Sequence, residues 1–359
     1  MKDQPSNIDT LLIEEDSLCS ELAEHLRPRF KRVEILDRIK PVDYARYDSR
    51  TLILTRHSGK FLKPCPGTGG YNCCGLQIIH FGLGCSLNCT YCILQPYLDT
   101  EALVLFSNFE EGLSQLKQAL DSVEKHKTTV RYSTGEFTDS LLLENYTGFG
   151  ARLVNLFGQY QYASLELKTK TDNIESLRGL NHNGRVIVSF SVNAPAVAKS
   201  EESEAASMER RLIAAKKMVE EGYRVGFHFD PLIRHPDWRN GYARTVSDIF
   251  SVIPAEKMAW ISLGGFRFLP KLKPILARNH PESRIIYDEF VLAPDGKMRY
   301  LRPLRVEIYR HMVAEIRKRA PEACIYLCME NPRVWEEVFG YDPRSSGLIM
   351  KLNQRVRLL

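Results

Sequence analysis

The segment GLQIIHFGLGCSLNCTYC, residues 75–92, joins an apolar run of strand length to a loop that carries three cysteines. After it, five more apolar runs of strand length alternate with helix-like segments as far as residue 266. Such alternation predicts parallel strands joined by right-handed crossovers. A closed or partial (β/α) barrel fits this pattern as well as an open sheet does. In a barrel, the functional groups lie at the C-terminal ends of the strands.

The regions on either side of this alternation differ in character. Residues 1–74 indicate an α/β leader, with short strands around one helix and a turn-rich stretch at the end. Residues 267–359 indicate a C-terminal cap, in which a β-hairpin with the turn Pro294-Asp295-Gly296 precedes a helix, a strand and a short helix. We therefore predict three parts, with the barrel itself occupying residues 75–266.

The composition is that of an ordinary globular protein. Of the 359 residues, 44% are hydrophobic and 26% are charged, which excludes disordered and fibrous classes. No apolar run is long enough to span a bilayer, and the N-terminus lacks the apolar core of a secretion signal. We therefore expect a soluble, cytoplasmic protein without a membrane partner. The net charge of +5 does not by itself require nucleic acid.

The cysteines are concentrated in one region. Five of the nine lie between residues 73 and 92, and three of them form the motif Cys85-Ser-Leu-Asn-Cys89-Thr-Tyr-Cys92. In a reducing compartment such a cluster indicates metal or redox chemistry rather than disulfides. Three thiolates with one vacant position suit a [4Fe–4S] cluster, whereas a structural zinc site is normally closed by four ligands. The alternative is a zinc site completed by Cys73, Cys74 or His80.

This motif, with an aromatic residue before its last cysteine, resembles that of the radical S-adenosylmethionine (SAM) superfamily. The resemblance implies a partial (β/α)6 barrel of the TIM type, within the α/β class. It implies that Cys85, Cys89 and Cys92 bind a [4Fe–4S] cluster, whose open iron chelates SAM. One-electron reduction would then cleave SAM to a 5′-deoxyadenosyl radical.

More of the chain is similar to one branch of that superfamily, the spore photoproduct lyase family of DNA-repair enzymes. The similarity covers residues 75–280 and, more loosely, the tail. The segments that match in order are CTYCILQ (89–95), FTD (137–139), KTK (168–170), HNG (182–184), SFSVN (189–193), RRLIAAKKMVEEGYRVG (210–226) and HPDWRNGY (235–242). The resemblance implies radical repair of a methylene-bridged thymine dimer in DNA.

Carried over to this chain, the SAM contacts of the family would be Tyr91, Thr138, Lys170 and Ser191. A lysine can pair with the SAM carboxylate, and a hydroxyl can hold a carboxylate or ribose oxygen. The carbonyl of an aromatic residue beside the cluster can accept a hydrogen bond from adenine. Taken alone, Lys170 would be interpreted as a surface charge and Ser191 as a strand-end cap.

The sequence departs from the family at two positions that serve the last step of the reaction. Glu136 stands where the family has the cysteine that donates hydrogen to the product radical, and Ile93 replaces a tyrosine that relays the radical. A carboxylate does not readily donate a hydrogen atom. Cys74 and Cys328, with Cys73, are therefore candidate donors, and buried structural thiols are the alternative interpretation. Cys65 and Cys73 have no assigned counterpart in the family.

The predicted hairpin region, residues 287–304, is basic. In the family a C-terminal hairpin reaches into DNA, which implies contacts here from Lys297, Arg299, Tyr300, Arg302 and Arg305. The cations would bind phosphates and the tyrosine would stack on a base or wedge beside it. A solvated basic surface with no ligand is the alternative.

The sequence thus predicts a radical SAM lyase that repairs or modifies a thymine lesion in DNA. Its expected partners are DNA and an electron donor such as flavodoxin or ferredoxin, and we expect a monomer. One alternative is a radical SAM enzyme that acts on a substrate other than DNA, which the loss of the donor cysteine favours. Another is a DNA-binding iron–sulfur sensor that does not cleave SAM.

Overall fold

The computed structural model describes residues 8–37, 41–98 and 100–357. The strands, in chain order, are β1 (Thr10–Glu14), β2 (Arg32–Leu36), β3 (Thr51–Thr55), β4 (Leu62–Pro64), β5 (Gln77–Ile79), β6 (Gly82–Leu83), β7 (Leu103–Phe106), β8 (Val130–Ser133), β9 (Ala163–Thr169), β10 (Val186–Ser191), β11 (Arg224–Leu232), β12 (Met258–Gly265), β13 (Arg267–Phe268), β14 (Phe290–Leu292), β15 (Met298–Tyr300) and β16 (Ile325–Leu327). The α-helices are α1 (Glu21–Leu26), α2 (Leu94–Tyr97), α3 (Phe109–His126), α4 (Glu144–Thr147), α5 (Phe149–Phe157), α6 (Pro195–Glu201), α7 (Met208–Glu220), α8 (Trp238–Val252), α9 (Leu272–Asn279), α10 (Arg302–Arg317), α11 (Pro332–Phe339) and α12 (Arg344–Arg357).

The central feature is a curled sheet of eight strands in the order β16-β12-β11-β10-β9-β8-β5-β4. All neighbouring strands are parallel except β4, which runs antiparallel to β5. Strands β10 and β12 are buried along their whole length, as expected where helices cover one face and the barrel core fills the other. The six predicted barrel strands correspond to β5 and β8–β12, which confirms the α/β partial barrel, and β16 adds a seventh parallel strand.

The two edges of this curled sheet are joined at a seam. Asn72, in the loop between β4 and β5, forms an antiparallel bridge with Glu330, just beyond β16. The Asn72 N–H donates to the Glu330 carbonyl at 2.9 Å. At the N-terminal end of the barrel, helix α12 binds the strands: Arg355 donates to the carbonyl of Met258 at 3.0 Å, and Asn353 to that of Thr129 at 2.9 Å. The C-terminal ends of the strands are left for the functional site.

The sheets do not follow the predicted boundaries at residues 74 and 266. Strands β6 and β7 leave the barrel segment and complete a second, five-stranded sheet in the order β2-β1-β3-β7-β6. Conversely, β4 of the leader and β16 of the cap belong to the barrel sheet. The apolar run of residues 76–83 therefore supplies two strands in two sheets, which alternation of residue types along the chain cannot distinguish from one strand. Among the described residues, no helix is long and apolar enough to cross a membrane.

One buried carboxylate ties together four adjacent barrel strands. The Oε1 atom of Glu166 on β9 accepts hydrogen bonds from Ser189 Oγ on β10 (2.5 Å), His228 Nε2 on β11 (2.7 Å) and Trp260 Nε1 on β12 (3.0 Å). Burial alone would raise the pKa of Glu166, but the adjacent His228 and the hydrogen bonds outweigh it and lower the pKa to about 2. The ionised form of Glu166 therefore stabilises the barrel.

We expect the free energy of unfolding to fall as the pH is lowered from about 4.5 towards 2. The folded pKa of Glu166 lies below its ordinary value of 4.5, so its contribution is complete above pH 4.5 and is lost as the pH falls through about 2. The loss is on the order of 3 kcal/mol. Urea unfolding from pH 2 to 6 measures it. Glu166→Gln should flatten the dependence of the unfolding free energy on pH, and Glu209→Gln, at an exposed position, should not. Equal slopes in both variants would show that Glu166 is not the group responsible.

Candidate active site

The cysteine loop, residues 84–93, follows β6 and is held in place by hydrogen bonds to its backbone and to the Thr90 side chain. The Thr90 N–H donates to the carbonyl of Glu201 at 3.0 Å, and the Thr90 hydroxyl donates to the Glu201 carboxylate at 2.5 Å. From the other side, the Gln95 amide donates to the carbonyls of Cys89 and Thr90 at 2.9 and 3.1 Å. These bonds fix the direction in which the loop presents its thiols.

A cavity of about 230 Å³ lies at the C-terminal ends of β8–β12, and the cysteine loop forms one of its walls. Cys85, Cys89 and Cys92 all line this cavity. The four residues predicted to contact SAM line it as well: Tyr91, Thr138, Lys170 and Ser191. The structure thus brings together residues that lie more than 100 positions apart in the chain, because parallel strands end at the same rim of the barrel.

The donor set fits an iron–sulfur cluster. Among the described residues, no three His, Cys, Asp or Glu side chains converge closely enough to hold a single metal ion. The three thiols line one cavity, as suits ligands that each bind a different iron of one cluster. Burial raises the pKa of Cys89 to about 12, and the nearby Lys170 acts in the opposite direction. Bound iron would take this sulfur as the thiolate.

The three residues predicted as a fourth zinc ligand do not line this cavity. None of Cys73, Cys74 and His80 lines the cavity. The ring of His80 is buried against Phe106 and Phe137, with ring centroids at 5.0 and 4.8 Å. Burial lowers the pKa of His80 to about 3. The geometry therefore favours the three-thiolate cluster over a closed zinc site.

A buried ion pair between Glu202 and Arg211 contacts the cysteine loop. The carboxylate of Glu202 accepts a hydrogen bond from the Tyr91 hydroxyl and lies 2.5 Å from Arg211 Nη2. The side chains of Glu202 and Arg211 are each only 1% exposed. Arg211 also donates to the carbonyl of Ser191 at 2.9 Å, and Glu202 bridges the backbone of Cys89. Sequence reasoning missed this pair because Arg211 lies in a segment that resembles the family only as a helix and strand, and Glu202 lies in no recognisable motif.

Asp139 connects the loop after β8 to the end of β9. One carboxylate oxygen accepts from the N–H of Lys170 at 2.7 Å, and the other accepts from the Thr169 hydroxyl at 2.7 Å. Burial raises the pKa of Asp139, and these hydrogen bonds oppose the rise. The Lys170 ammonium lies 5.5 Å from the centroid of the Tyr91 ring. Asp139 thus positions Lys170 beside the cysteine loop.

A second pair of opposite charges lines the cavity at the predicted donor position. Lys168 Nζ lies 2.9 Å from Glu136 Oε1, and both side chains are about a quarter exposed. Burial opposes the charge on Lys168, but Glu136 and Glu166 raise its pKa. Glu136 is therefore an ion-paired carboxylate that faces the cavity, and Ile93 lines the same cavity.

The two candidate donor thiols lie outside the cavity lining. Cys328 follows β16, and its sulfur accepts a hydrogen bond from Arg267 Nη2 at 3.7 Å. Arg267 itself lines the cavity and forms a bidentate pair with Asp230, at 3.2 Å for both bonds. Hydrogen bonding with Cys73 and burial raise the pKa of Cys74 well above its ordinary value. Cys328 is thus separated from the cavity by one guanidinium group.

The structure corrects the prediction of a basic DNA-binding surface on the hairpin. Tyr300 and Arg299 on β15 are buried: the Tyr300 hydroxyl accepts from the Arg234 N–H at 3.0 Å, and Arg299 pairs with Asp295 at 2.7 Å. Arg305 is also buried and pairs with Glu330 at 2.9 Å. These three side chains hold the cap together and are not available to a ligand.

Two other residues of that prediction remain partly accessible. Arg302 begins α10 rather than belonging to the hairpin, and its side chain, 41% exposed, pairs with Glu337 at 3.2 Å. Lys297 lies at the tip of the hairpin, largely enclosed, with Asp295 at 4.0 Å. The positive run 297–305 therefore crosses from a strand into a helix, so its residues do not share one surface.

A curled parallel sheet with a three-cysteine loop at the rim of its C-terminal strand ends defines the radical SAM class of proteins. Residues 70–325 match the family model described as spore photoproduct lyase. The chain belongs to that family. The spore photoproduct lyase of Bacillus subtilis (strain 168) is 28% identical over 214 residues, and that of Geobacillus sp. (strain Y412MC61) is 25% identical over 214 residues. Each match covers 59% of this chain and 62% of the relative.

Solved structures share the fold. A spore photoproduct lyase complexed with dinucleoside spore photoproduct superimposes with a TM-score of 0.77 at 20% identity. A spore photoproduct lyase variant with bound AdoMet and dinucleoside spore photoproduct gives a TM-score of 0.78 at 19% identity. Both comparisons cover 90% of this chain and 100% of the other. The similarity therefore extends well beyond the cysteine motif, into the leader and the cap.

Proposed function

We propose that this protein is a radical SAM enzyme that repairs or modifies a thymine lesion in DNA, with spore photoproduct as the first candidate substrate. One observation supports the proposal most: the three cysteines and the predicted SAM contacts line a single cavity at the C-terminal strand ends. The spore photoproduct lyase variant with bound AdoMet and dinucleoside spore photoproduct, which shares this fold, supports the same combination of ligands.

Some residues of the cavity would bind the cluster, and others would bind SAM. Cys85, Cys89 and Cys92 would hold a [4Fe–4S] cluster, which with SAM and one electron supplies a 5′-deoxyadenosyl radical. Lys170, placed by Asp139, would bind the carboxylate of SAM through a charge-assisted hydrogen bond. The hydroxyls of Thr138 and Ser191 line the same cavity and can donate to a carboxylate or ribose oxygen.

Replacing Lys170 with alanine should weaken SAM binding about 10- to 100-fold, because a hydrogen bond to a charged group contributes about 1.5–3 kcal/mol. Equilibrium binding of SAM to the reconstituted protein measures the change. The matched control is Lys217→Ala, which removes an exposed lysine that pairs with Glu175 on the surface. Unchanged affinity in the Lys170 variant would contradict the proposed role.

The hydrogen donor is the point where this chain differs from the family pattern. Glu136 is ion-paired with Lys168 and cannot donate a hydrogen atom. Cys328 contacts the cavity wall through Arg267, and burial together with Asp230 raises its pKa, so the thiol stays protonated. In the donation step a C–H bond forms on the product radical as the S–H bond breaks. The thiyl radical regains an electron from the reductant that the enzyme requires and a proton from water.

A Cys328→Ala variant should still form 5′-deoxyadenosine but lose at least about tenfold in thymine yield, a barrier change of about 1.4 kcal/mol or more. In D₂O the thiol is S–D, so thymine made by the unaltered protein should carry one added deuterium, and the variant's residual product should not. Cys324→Ala, at the other end of the same strand, is the matched control. If the Cys328 variant gave the full yield of thymine with deuterium incorporated, Cys328 would not be the hydrogen donor and Cys74 would be the next candidate.

The decisive test of the proposed function uses anaerobically reconstituted protein, dithionite, SAM and a spore-photoproduct dinucleotide. Mass spectrometry then quantifies 5′-deoxyadenosine and restored thymine. Formation of both supports the proposal. The absence of 5′-deoxyadenosine from a protein that holds about four irons would overturn it in favour of an iron–sulfur sensor.

A second candidate is a radical SAM reaction on a substrate other than DNA. The Glu136–Lys168 ion pair favours it, because it places charge at the point where the family has a neutral thiol. In the same assay this candidate predicts 5′-deoxyadenosine without restored thymine.

A further inference from the structure

The cysteine loop borders a second opening, a cleft of about 580 Å³. Cys85, Cys89 and Cys92 line this cleft as they line the first cavity. The other walls differ: residues 45–49 of the leader and the C-terminal end of α9 contribute, and no strand of β8–β12 does. The loop is therefore a wall shared by two spaces, one at the barrel rim and one on the outer side.

The second space has no evident use in binding SAM or the lesion. The predicted SAM contacts Thr138, Lys170 and Ser191 line the first cavity and not this cleft. A radical SAM reaction also needs one electron for each cleavage of SAM, and that electron must reach the cysteines from outside the protein. With the rim occupied by SAM and substrate, the second cleft offers a separate approach to the same three sulfurs.

Positive charge is concentrated beside this cleft. Residues 268–281 contain Lys271, Lys273 and Arg278 and not a single acidic residue. All three side chains are exposed, and no ion pair joins them to an acidic group in the described parts of the chain. Arg278 itself lines the cleft. Exposed cations without intramolecular partners steer an acidic partner and fix its orientation.

The helix that packs against α9 carries an exposed aromatic residue. Helix α2, which follows the cysteine loop directly, packs against α9, and its Tyr97 is 54% exposed. Aromatic residues and arginine are enriched in protein–protein interfaces, so Tyr97 and Arg278 together resemble the composition of a small docking surface. Asp48 and Glu101 line the cleft as well, so the positive surface is that of α9 rather than of the cleft walls.

We propose that the cleft and α9, with Lys271, Lys273, Arg278 and Tyr97, form the docking surface for a small acidic electron-transfer protein. The inference rests on the proposed function, since it supplies the electron that SAM cleavage consumes. Cys85, Cys89 and Cys92 would hold the cluster that accepts one electron from the reduced carrier for each SAM cleaved, and the carrier would leave oxidised by one electron. The expected interface is small and salt-sensitive, as is usual for transient redox partners.

The test compares two triple variants of the reconstituted full-length protein. One carries Lys271→Glu, Lys273→Glu and Arg278→Glu. The control carries Lys117→Glu, Lys125→Glu and Lys216→Glu, which are exposed on α3 and α7 and change the net charge equally. An acidic, FMN-containing flavodoxin is the probe. Calorimetry measures its binding in the oxidised form, and 5′-deoxyadenosine formation is measured with reduced flavodoxin and, separately, with dithionite.

We expect the α9 variant to bind flavodoxin at least about tenfold more weakly, and the control to change by less than about threefold. SAM cleavage with flavodoxin should fall in parallel, while cleavage with dithionite, which needs no docking surface, should stay within about twofold. A milder variant with glutamine at the same three positions should give an intermediate loss and guards against a folding defect.

Equal binding losses in both triple variants, or none in the α9 variant, would overturn the docking surface. So would a loss of DNA binding in the α9 variant with flavodoxin binding intact, because that result would make α9 a nucleic-acid surface. Failure of the unaltered protein to cleave SAM with dithionite would instead refute the proposed function, whatever the flavodoxin affinity shows.

Discussion

A Cys92→Ala variant is expected to lose the iron–sulfur cluster and, with it, all measurable cleavage of SAM. Each of Cys85, Cys89 and Cys92 lines the same cavity wall, and each thiolate would hold a different iron. Loss of one leaves two protein ligands and a second open iron. The loss of activity should exceed the roughly 100-fold that removal of an outer-shell partner typically costs.

Iron and sulfide analysis measures this prediction directly. The unaltered protein should hold about four irons per chain, and the variant less than about one. The matched control is Cys19→Ala, because Cys19 is exposed and lies ahead of α1, away from the cysteine loop. Circular dichroism should show that the two variants keep the same fold. A Cys92 variant that still held a full complement of iron would show that the three-cysteine loop is not the cluster site.

The second large effect is expected at the buried pair beneath the cysteine loop. Replacing Arg211 with methionine leaves the Glu202 carboxylate enclosed without its cation. Both side chains are 1% exposed, and the two groups lie 2.5 Å apart. Removing one partner of such a pair costs about 3–5 kcal/mol, because the remaining charge keeps its desolvation penalty and loses its compensation. Urea unfolding measures the loss.

The adjacent residue provides the control. Arg210 is exposed and pairs with Asp172 at 2.7 Å, so Arg210→Met should cost less than about 1 kcal/mol. The double variant Arg211→Met with Glu202→Gln should recover part of the stability, because it removes the unpaired charge. We also expect the Arg211 variant to incorporate iron poorly, since Glu202 bridges the backbone of Cys89 and holds Tyr91. Equal costs for the Arg210 and Arg211 variants would contradict this account.

The proposed donor thiol and the proposed docking surface lie on different sides of the cluster site. Cys328 is at the seam of the barrel, behind Arg267. Helix α9 lies beside the outer cleft, which Arg278 lines. Variants at the two places should therefore have different effects. The Cys328 variant changes the fate of the product radical, and the α9 variant changes only the delivery of electrons. Distant sites of this kind are expected to act additively.

Local sequence determined the barrel strands and the cysteine site. The six barrel strands were predictable as short continuous apolar runs because both faces of a parallel sheet are buried, and helices such as α3 and α7 because one buried face imposes a period of about 3.6 residues. The motif at Cys85, Cys89 and Cys92 was readable because its three ligands lie within eight residues. Thr138, Lys170 and Ser191 were named from the family resemblance, since strand position by itself indicates only that each lies near the C-terminal end of a barrel strand.

Tertiary structure alone decided which charges are available to a ligand. The basic run at residues 297–305 suggested a nucleic-acid surface, yet Arg299 and Arg305 are buried against Asp295 and Glu330. Glu330 lies just beyond β16, where it bridges to Asn72 at the seam and pairs with Arg305. The same holds for Glu202 beneath the cysteine loop. Periodicity reports burial along one element, whereas the partner of a buried charge is set by contacts between distant segments, which no local pattern records.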